Sequence, residues 1–264
     1  HHVKTNHPRS AVFFPRLRDN VAALRRAQLY IAEQAATGYD LSPAAEWLLD
    51  NFHLIEAQLK EVRDGLPVRY FRALPVLRDE PLAGLPRIYG VAWAFVAHTD
   101  GAFDEDLLRN YLCAYLESCE LDLGELWALP TTLRVVLVES LRRLAERVAT
   151  SKAAREVANL VCDRIGECSV DQLDQLLAQL NQRGVGRVFL TQMAQRLPER
   201  RGASRTGDAP GIHGWLHSAL PDRAAAMAEQ PANQAADNLS VSNAVTSLRA
   251  IGDADWPDIV ARTS

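Results

Sequence analysis

The stretch LSPAAEWLLDNFHLIEAQLKEVR, residues 41–63, decides the fold because it carries a complete helix signal. Ser42 has the side chain of an N-cap residue, and Pro43 suits the first helical position. Apolar residues then recur at helical spacing and form one stripe, made of Leu48, Phe52, Ile55, Leu59 and Val62. The stretch therefore predicts one long amphipathic helix.

The composition extends this interpretation to the whole chain. Its 264 residues are 48% hydrophobic but only 7% aromatic, and the abundance of Leu, Ala, Arg and Glu favours helices over strands. No alternating apolar pattern of useful length indicates a strand. We predict an all-α fold, an irregular multi-helix bundle of about eight to eleven helices with no substantial sheet.

Apolar stripes, capping residues and helix breakers place the helices along the chain. Besides 41–63, helices are predicted over 16–36, 87–99, 105–118, 123–149, 152–165, 170–182, 186–197, 214–220, 222–229, 241–251 and 255–261. A short helix is also predicted near Tyr70 within the proline-rich connection 66–86.

Polar segments divide the chain into four parts. Residues 1–15 are predicted to be a disordered, tag-like arm, followed by a helical domain over 16–199. Residues 200–211, rich in Gly and Arg and almost without apolar side chains, predict a linker. Residues 212–264 form a helical extension, which we expect to continue into a longer parent chain.

Charge and cysteine content exclude several classes of function. The net charge of −4 and the pI near 6.0 give no basic field for nucleic acid, so we expect no nucleic-acid partner. The four cysteines lack zinc-ligand spacing and are expected to be reduced, mostly buried thiols. No apolar run reaches the ~20 residues needed to cross a bilayer, so this fragment is expected to be soluble, without a membrane span.

Motifs for catalysis are weak in this sequence. Two Asp-x-Asp runs, at 104–106 and 253–255, are better explained as helix caps than as metal ligands. No phosphate-binding loop and no nucleophile motif occur. We therefore expect no catalytic residue, metal or cofactor in this fragment. The pair Glu139 and Arg143 is expected on a solvated helix face, one turn apart.

Four stretches carry a resemblance to a known family. They are AAEWLLDNFHLIEAQL (44–59), GLPRIYGVAWAFVAHTDGAFD (84–104), ELWALPTTLRVVLVESLRRLA (125–145) and SVSNAVTSLRAIGDADW (240–256). In sequence and in order they resemble the cyclic β-1,2-glucan synthases, which are large bacterial membrane glycosyltransferases. Because those proteins are many times longer, the chain looks like an N-terminal fragment.

The resemblance implies a parent enzyme that polymerises glucose from UDP-glucose, with Mg²⁺ or Mn²⁺, into cyclic β-1,2-glucan. It also implies a position on the cytoplasmic side of the bacterial inner membrane. We expect this part to be a non-catalytic docking or regulatory domain, whose partner is the rest of the polypeptide with its membrane transferase domain. The alternative is a carbohydrate-active helical domain that binds or cleaves β-glucan, so whether the fragment is an enzyme stays open.

The candidate functional residues are the polar and aromatic side chains of the matching stretches. They are Glu46, Trp47, Asp50, Asn51, His53, Arg87, Tyr89, Trp93, His98, Asp100, Glu125, Trp127 and Arg134. The three tryptophans are expected in the core, although a sugar-stacking groove is the alternative. A subset is expected to satisfy one another near them, namely Glu46, Asp50, His98, Glu125 and Arg134.

Overall fold

The computed structural model describes residues 12–36, 41–65, 67–197 and 210–263. The all-α prediction is confirmed, with twelve α-helices in those ranges and no strand there beyond an isolated bridge between Val76 and Pro86. The helices are α1 (Phe13–Ala36), α2 (Pro43–Asp50), α3 (Phe52–Asp64), α4 (Val68–Ala73), α5 (Arg87–His98), α6 (Glu105–Leu116), α7 (Leu123–Asp163), α8 (Val170–Gln182), α9 (Gly186–Arg196), α10 (Pro210–Ala219), α11 (Arg223–Asp253) and α12 (Trp256–Thr263).

Helix α1 begins at Phe13, three residues before the predicted start, so the predicted arm of residues 1–15 overlaps it. The ring of Phe13 is 1% exposed and stacks on Phe71 with 5.4 Å between ring centroids. Pro15 is compatible with this start because the first turn of a helix needs no N–H donor there. Residues 1–11 of the predicted arm lie outside the described residues.

The predicted single helix over 41–63 is wrong, because α2 and α3 are separate helices that meet at Asn51. The backbone at Asn51 leaves the helical region, with φ −102° and ψ 5°. Its side-chain Nδ2 donates to the carbonyl oxygen of Trp47 at 2.9 Å. An asparagine side chain that competes for a helix carbonyl in this way favours a break.

Two predicted breaks are absent. The predicted helices 123–149 and 152–165 are one 41-residue helix, α7. Lys152 at the expected break is buried, and its ammonium lies 3.2 Å from a carboxylate oxygen of Glu156 one turn later. The predicted helices 222–229 and 241–251 are likewise one helix, α11, with Pro231 inside it.

The long helices α7 and α11 pass through two hydrophobic cores. The first core packs α1 to α7 against the end of α11 and α12. The second core joins the end of α7, around Ala158, to α8, α9, α10 and the start of α11. Residues 200–209 of the predicted linker lie outside the described residues, and α10 begins at Pro210.

Candidate functional site

A buried carboxylate, Glu139 of α7, lies at the junction of α1, α5 and α7 and is 2% exposed. It accepts hydrogen bonds from Arg16 Nε at 2.8 Å, Asn20 Nδ2 at 3.0 Å and Tyr89 Oη at 2.5 Å. A second Arg16 nitrogen lies 2.6 Å from its other oxygen, which also receives a hydrogen bond from Arg143. This pairing offsets the cost of holding a charge inside a core.

The predicted solvated face is therefore wrong at Glu139. Burial alone would raise the pKa of this carboxyl, but hydrogen bonds from Arg16, Tyr89 and Arg143 outweigh burial and lower it to about 2. The pKa of Tyr89 is raised, first by burial and then by its hydrogen bond to the carboxylate. Neither group exchanges a proton near neutral pH, so this junction is a fixed link among three helices.

A second buried ion pair joins the beginnings of α5 and α7. Arg87 Nε donates to Glu125 Oε1 at 2.9 Å, and a terminal nitrogen of Arg87 donates to the other carboxylate oxygen. Glu125 is fully buried and also accepts the backbone N–H of Asp122 at 3.0 Å, a capping contact at the start of α7. The hydrogen bond to Glu125 raises the pKa of Arg87 despite its burial. Both partners are candidate residues, and their role here is to hold two helices together.

The other predicted polar residues do not converge. Glu46, Asp50 and His98 are exposed, while Glu125 is buried against Arg87. The remaining member, Arg134, lies 3.5 Å from a carboxylate oxygen of Glu61 on α3. The predicted mutual cluster of these residues is therefore wrong, because each charged member has solvent or a different partner. His53 is also exposed, with Nδ1 3.1 Å from the carbonyl oxygen of Asp50.

The three tryptophans occupy different surroundings. Trp47 and Trp93 are half-buried and pack against the first core, as expected. Trp127 is 49% exposed, so the prediction of core packing is wrong for it. Leu123, one turn earlier on α7, is 59% exposed. The beginning of α7 therefore presents an apolar face to solvent, which we call the Trp127 face (Leu123 and Trp127).

Two of the predicted residues meet in a groove of about 240 Å³ between α5, α7 and α11. Trp93 and Asp100 line it together with Ser140, Arg143 and Ser240. The Asp100 carboxylate accepts hydrogen bonds from Ser240 Oγ at 2.8 and 3.0 Å. Asp100 adopts the left-handed conformation with φ 48°, which turns the chain after α5. The groove thus joins the matching stretches 84–104 and 240–256 through direct contacts.

Sequence reasoning missed the α1 half of the Glu139 junction. Arg16 and Asn20 are one turn apart on α1, and Asn20 falls among the apolar positions Leu17 and Leu24. A polar side chain at a core-facing position was the available signal, since such groups need a buried partner. The sequence did not indicate that Glu139 was that partner.

The acidic runs act as helix caps. Asp104 Oδ1 accepts the backbone N–H of Leu107 at 2.8 Å, and Asp106 pairs with Arg109 at 2.6 Å. Asp255 Oδ1 accepts the backbone N–H of Asp258 at 3.1 Å. Within the described ranges, no group of three or more His, Cys, Asp or Glu side chains is placed to hold a metal ion.

The cysteines are free thiols, but they are less buried than predicted. Cys113 is exposed, and the other three are partly exposed. Burial raises the pKa of the Cys162 thiol. Among the helices of the described ranges, none combines the length and the hydropathy that a membrane span requires.

Comparison with known proteins supports the resemblance found in the motifs. No family model matches the chain. The chain is 34% identical over 255 residues to the cyclic beta-(1,2)-glucan synthase NdvB of Rhizobium meliloti (strain 1021). The match covers 92% of this chain and 9% of that protein. The predicted relation to cyclic β-1,2-glucan synthases is thus confirmed, and it concerns a small part of such a protein.

Proposed function

We propose that this chain is a non-catalytic helical domain of a protein related to cyclic β-1,2-glucan synthase, and that it docks on and regulates the rest of that polypeptide. The observation that carries the proposal is the use of motif charges as structural links. Arg87 with Glu125, and Tyr89 with Glu139, tie helices together inside the first core. A general acid or base needs access to substrate and a pKa near the working pH, whereas the pKa of Glu139 is about 2.

The activity proposed for the parent protein rests on the family resemblance of the four matching stretches. The parent would polymerise glucose from UDP-glucose, with Mg²⁺ or Mn²⁺, on the cytoplasmic side of the bacterial inner membrane. The chain spans 9% of the length of the relative that it matches. The remaining polypeptide, with a membrane transferase domain, is therefore the partner that this domain would contact.

The Trp127 face is the proposed contact surface. A tryptophan side chain that is about half exposed leaves roughly 100 Å² of apolar area in water, worth about 2.5 kcal/mol on burial. Leu123 adds to that area on the same side of α7, since side chains four residues apart on a helix are neighbours. An aromatic anchor with an aliphatic neighbour is typical of the centre of a protein–protein contact.

Substitution in the full-length parent protein tests the docking role. We expect Leu123→Ser and Trp127→Ser to reduce β-1,2-glucan synthesis in isolated membranes at equal protein level, because they remove the contact. Leu160→Ser is the matched control, since Leu160 is 60% exposed on the same helix but lies toward the second core. Synthesis unchanged by all three substitutions would contradict docking through this face.

Calorimetry of the isolated chain tests the non-catalytic assignment. We expect no heat of binding on titration with UDP-glucose or with a β-1,2-glucan oligomer. Micromolar affinity for UDP-glucose would overturn the assignment. Affinity for the oligomer that is lost in Trp93→Ala would instead support the carbohydrate-binding alternative, in the groove beside Asp100.

A further inference from the structure

One half-buried arginine, Arg155, differs from three comparable arginines in the described part of the chain. The Nε atoms of Arg109, Arg134, Arg142 and Arg155 are buried without a hydrogen-bond partner. In Arg109, Arg134 and Arg142 the guanidinium group still has an ion-pair partner, because each places a terminal nitrogen within ion-pair distance of a carboxylate. For Arg155 on α7, no carboxylate of the described residues lies that close.

The electrostatic surroundings of Arg155 agree with this geometry. Burial lowers the pKa of Arg155, and the charge of Asp237 opposes that effect only in part. Asp237 on α11 already accepts a hydrogen bond from Arg147. The positive charge of Arg155 is therefore partly withdrawn from water without a full counter-charge, which costs free energy unless something else supplies one.

Arg155 lines a groove of about 670 Å³ between α7, α9 and α11. Three more arginines line the same groove, namely Arg147, Arg183 and Arg187. Arg147 already pairs with Asp237, and Arg187 pairs with Glu229 at 2.7 Å. Arg183, the C-cap residue that follows α8, forms no ion pair with the described residues. Two guanidinium groups on different helices thus remain available on one groove.

Three carboxylates also line the groove, and each has an arginine partner. Asp237 pairs with Arg147, Glu229 with Arg187, and Glu146 with Arg142. The other lining side chains are small or polar. Ser151 on α7 and Asn233 and Gln234 on α11 contribute a hydroxyl and two amides, while the apolar lining includes the small residues Val185 and Ala226. Guanidinium groups bind planar or tetrahedral oxyanions through paired N–H donors, and phosphate offers them several oxygens and up to two charges. A small polar molecule that carries a phosphate group matches this lining better than an apolar one.

We propose that the groove between α7, α9 and α11 binds a phosphate monoester group, which Arg155 and Arg183 hold through their guanidinium nitrogens. The phosphate belongs either to a soluble small molecule or to a lipid headgroup. The site lies on the second core, away from the Trp127 face, and its existence does not depend on the proposed docking function.

Titration of the purified chain with glycerol 3-phosphate and with inorganic phosphate, followed by ³¹P NMR, tests the site. Arg155→Gln and Arg183→Gln remove the two proposed ligands. Arg26→Gln is the matched control, because Arg26 is an exposed arginine on α1, a helix that packs in the first core rather than the second. Sedimentation with vesicles that contain phosphatidic acid tests the lipid source in parallel.

We expect the unmodified chain and Arg26→Gln to bind glycerol 3-phosphate equally, and each of the other two variants to lose about tenfold or more in affinity. Phosphate should raise the melting temperature of the unmodified chain but not that of Arg155→Gln. Without phosphate, Arg155→Gln should melt no lower than the unmodified chain, because it removes a partly buried charge that has no ion-pair partner among the described residues. This last measurement also shows that the variant folds.

Binding to phosphatidic acid vesicles alone, abolished in both variants, would support the site and assign the phosphate to a lipid. Binding to glycerol 3-phosphate with the same dependence on both arginines would assign it to a soluble molecule. Absence of binding to all three probes, or equal affinity in Arg155→Gln and the unmodified chain, would overturn the proposal.

Discussion

Replacing Glu139 by glutamine removes the charge at the junction of three helices while keeping the shape of the side chain. The pKa of Glu139 falls from the ordinary carboxyl value of 4.5 to about 2, and each pKa unit corresponds to about 1.4 kcal/mol. Ionised Glu139 therefore stabilises the fold by about 3 kcal/mol at neutral pH. Because the folded pKa is depressed, this stabilisation is complete above the unfolded value and is lost as pH falls from about 4.5 to about 2.

Urea unfolding followed by circular dichroism, at pH 7, 4.5, 3 and 2, measures this effect. We expect Glu139→Gln to unfold with a free energy about 3 kcal/mol lower at pH 7, with the difference shrinking below about 1 kcal/mol near pH 2. Glu33→Gln is the control, because Glu33 is exposed on α1 and its loss should change stability by less than about 0.5 kcal/mol. A difference for Glu139→Gln that stays constant over this pH range would refute the assignment of the low pKa to the folded junction.

Three further predictions concern the second ion pair, the thiols and the predicted linker. Glu125→Gln should lower the free energy of unfolding by about 2–4 kcal/mol, because Arg87 stays buried without its partner. A double-mutant cycle with Arg87→Met should show a coupling free energy above about 1 kcal/mol. Additive losses of stability in the two variants would contradict a direct pair. Cys113 should react with Ellman's reagent before Cys162 at pH 8. Burial raises the pKa of the Cys162 thiol, and only the thiolate reacts. Mass spectrometry of the labelled peptides gives the order of reaction. Limited proteolysis should cut first within residues 200–211, since this segment has almost no apolar side chain to anchor it; earlier cleavage elsewhere would count against a linker there.

Local signals were sufficient to place most helix ends. Ser42 and Asp104 cap α2 and α6 through hydrogen bonds to backbone N–H groups, as their sequence contexts predict. The break at Asn51 was missed because the apolar stripe continues across it and neither Gly nor Pro marks it. The continuity of α7 was missed because the polar residues near Ser151 resemble a helix end, whereas Lys152 finds a partner one turn later.

The candidate site was less predictable because its contacts are distant in sequence. Arg16 and Asn20 are 123 and 119 residues from Glu139, and no local periodicity reveals such pairs. The i, i+4 spacing of Glu139 and Arg143 favoured an exposed pair, yet packing of α1 and α5 covers the carboxylate. Arg87 and Glu125 were both chosen from the motifs, but the sequence did not pair them.

The path of α11 through both cores has a consequence for how the chain can be divided. Val241, Leu248 and Ile259, which follow the predicted linker, complete a core built largely from residues before it. Two polypeptides, one ending before residue 200 and one starting at residue 210, should therefore each lack part of a hydrophobic interior when expressed alone. When they are co-expressed, the two polypeptides should associate without a covalent connection, because each supplies the apolar surface that the other lacks. The domain could therefore be divided at this point into a two-part reporter of co-expression.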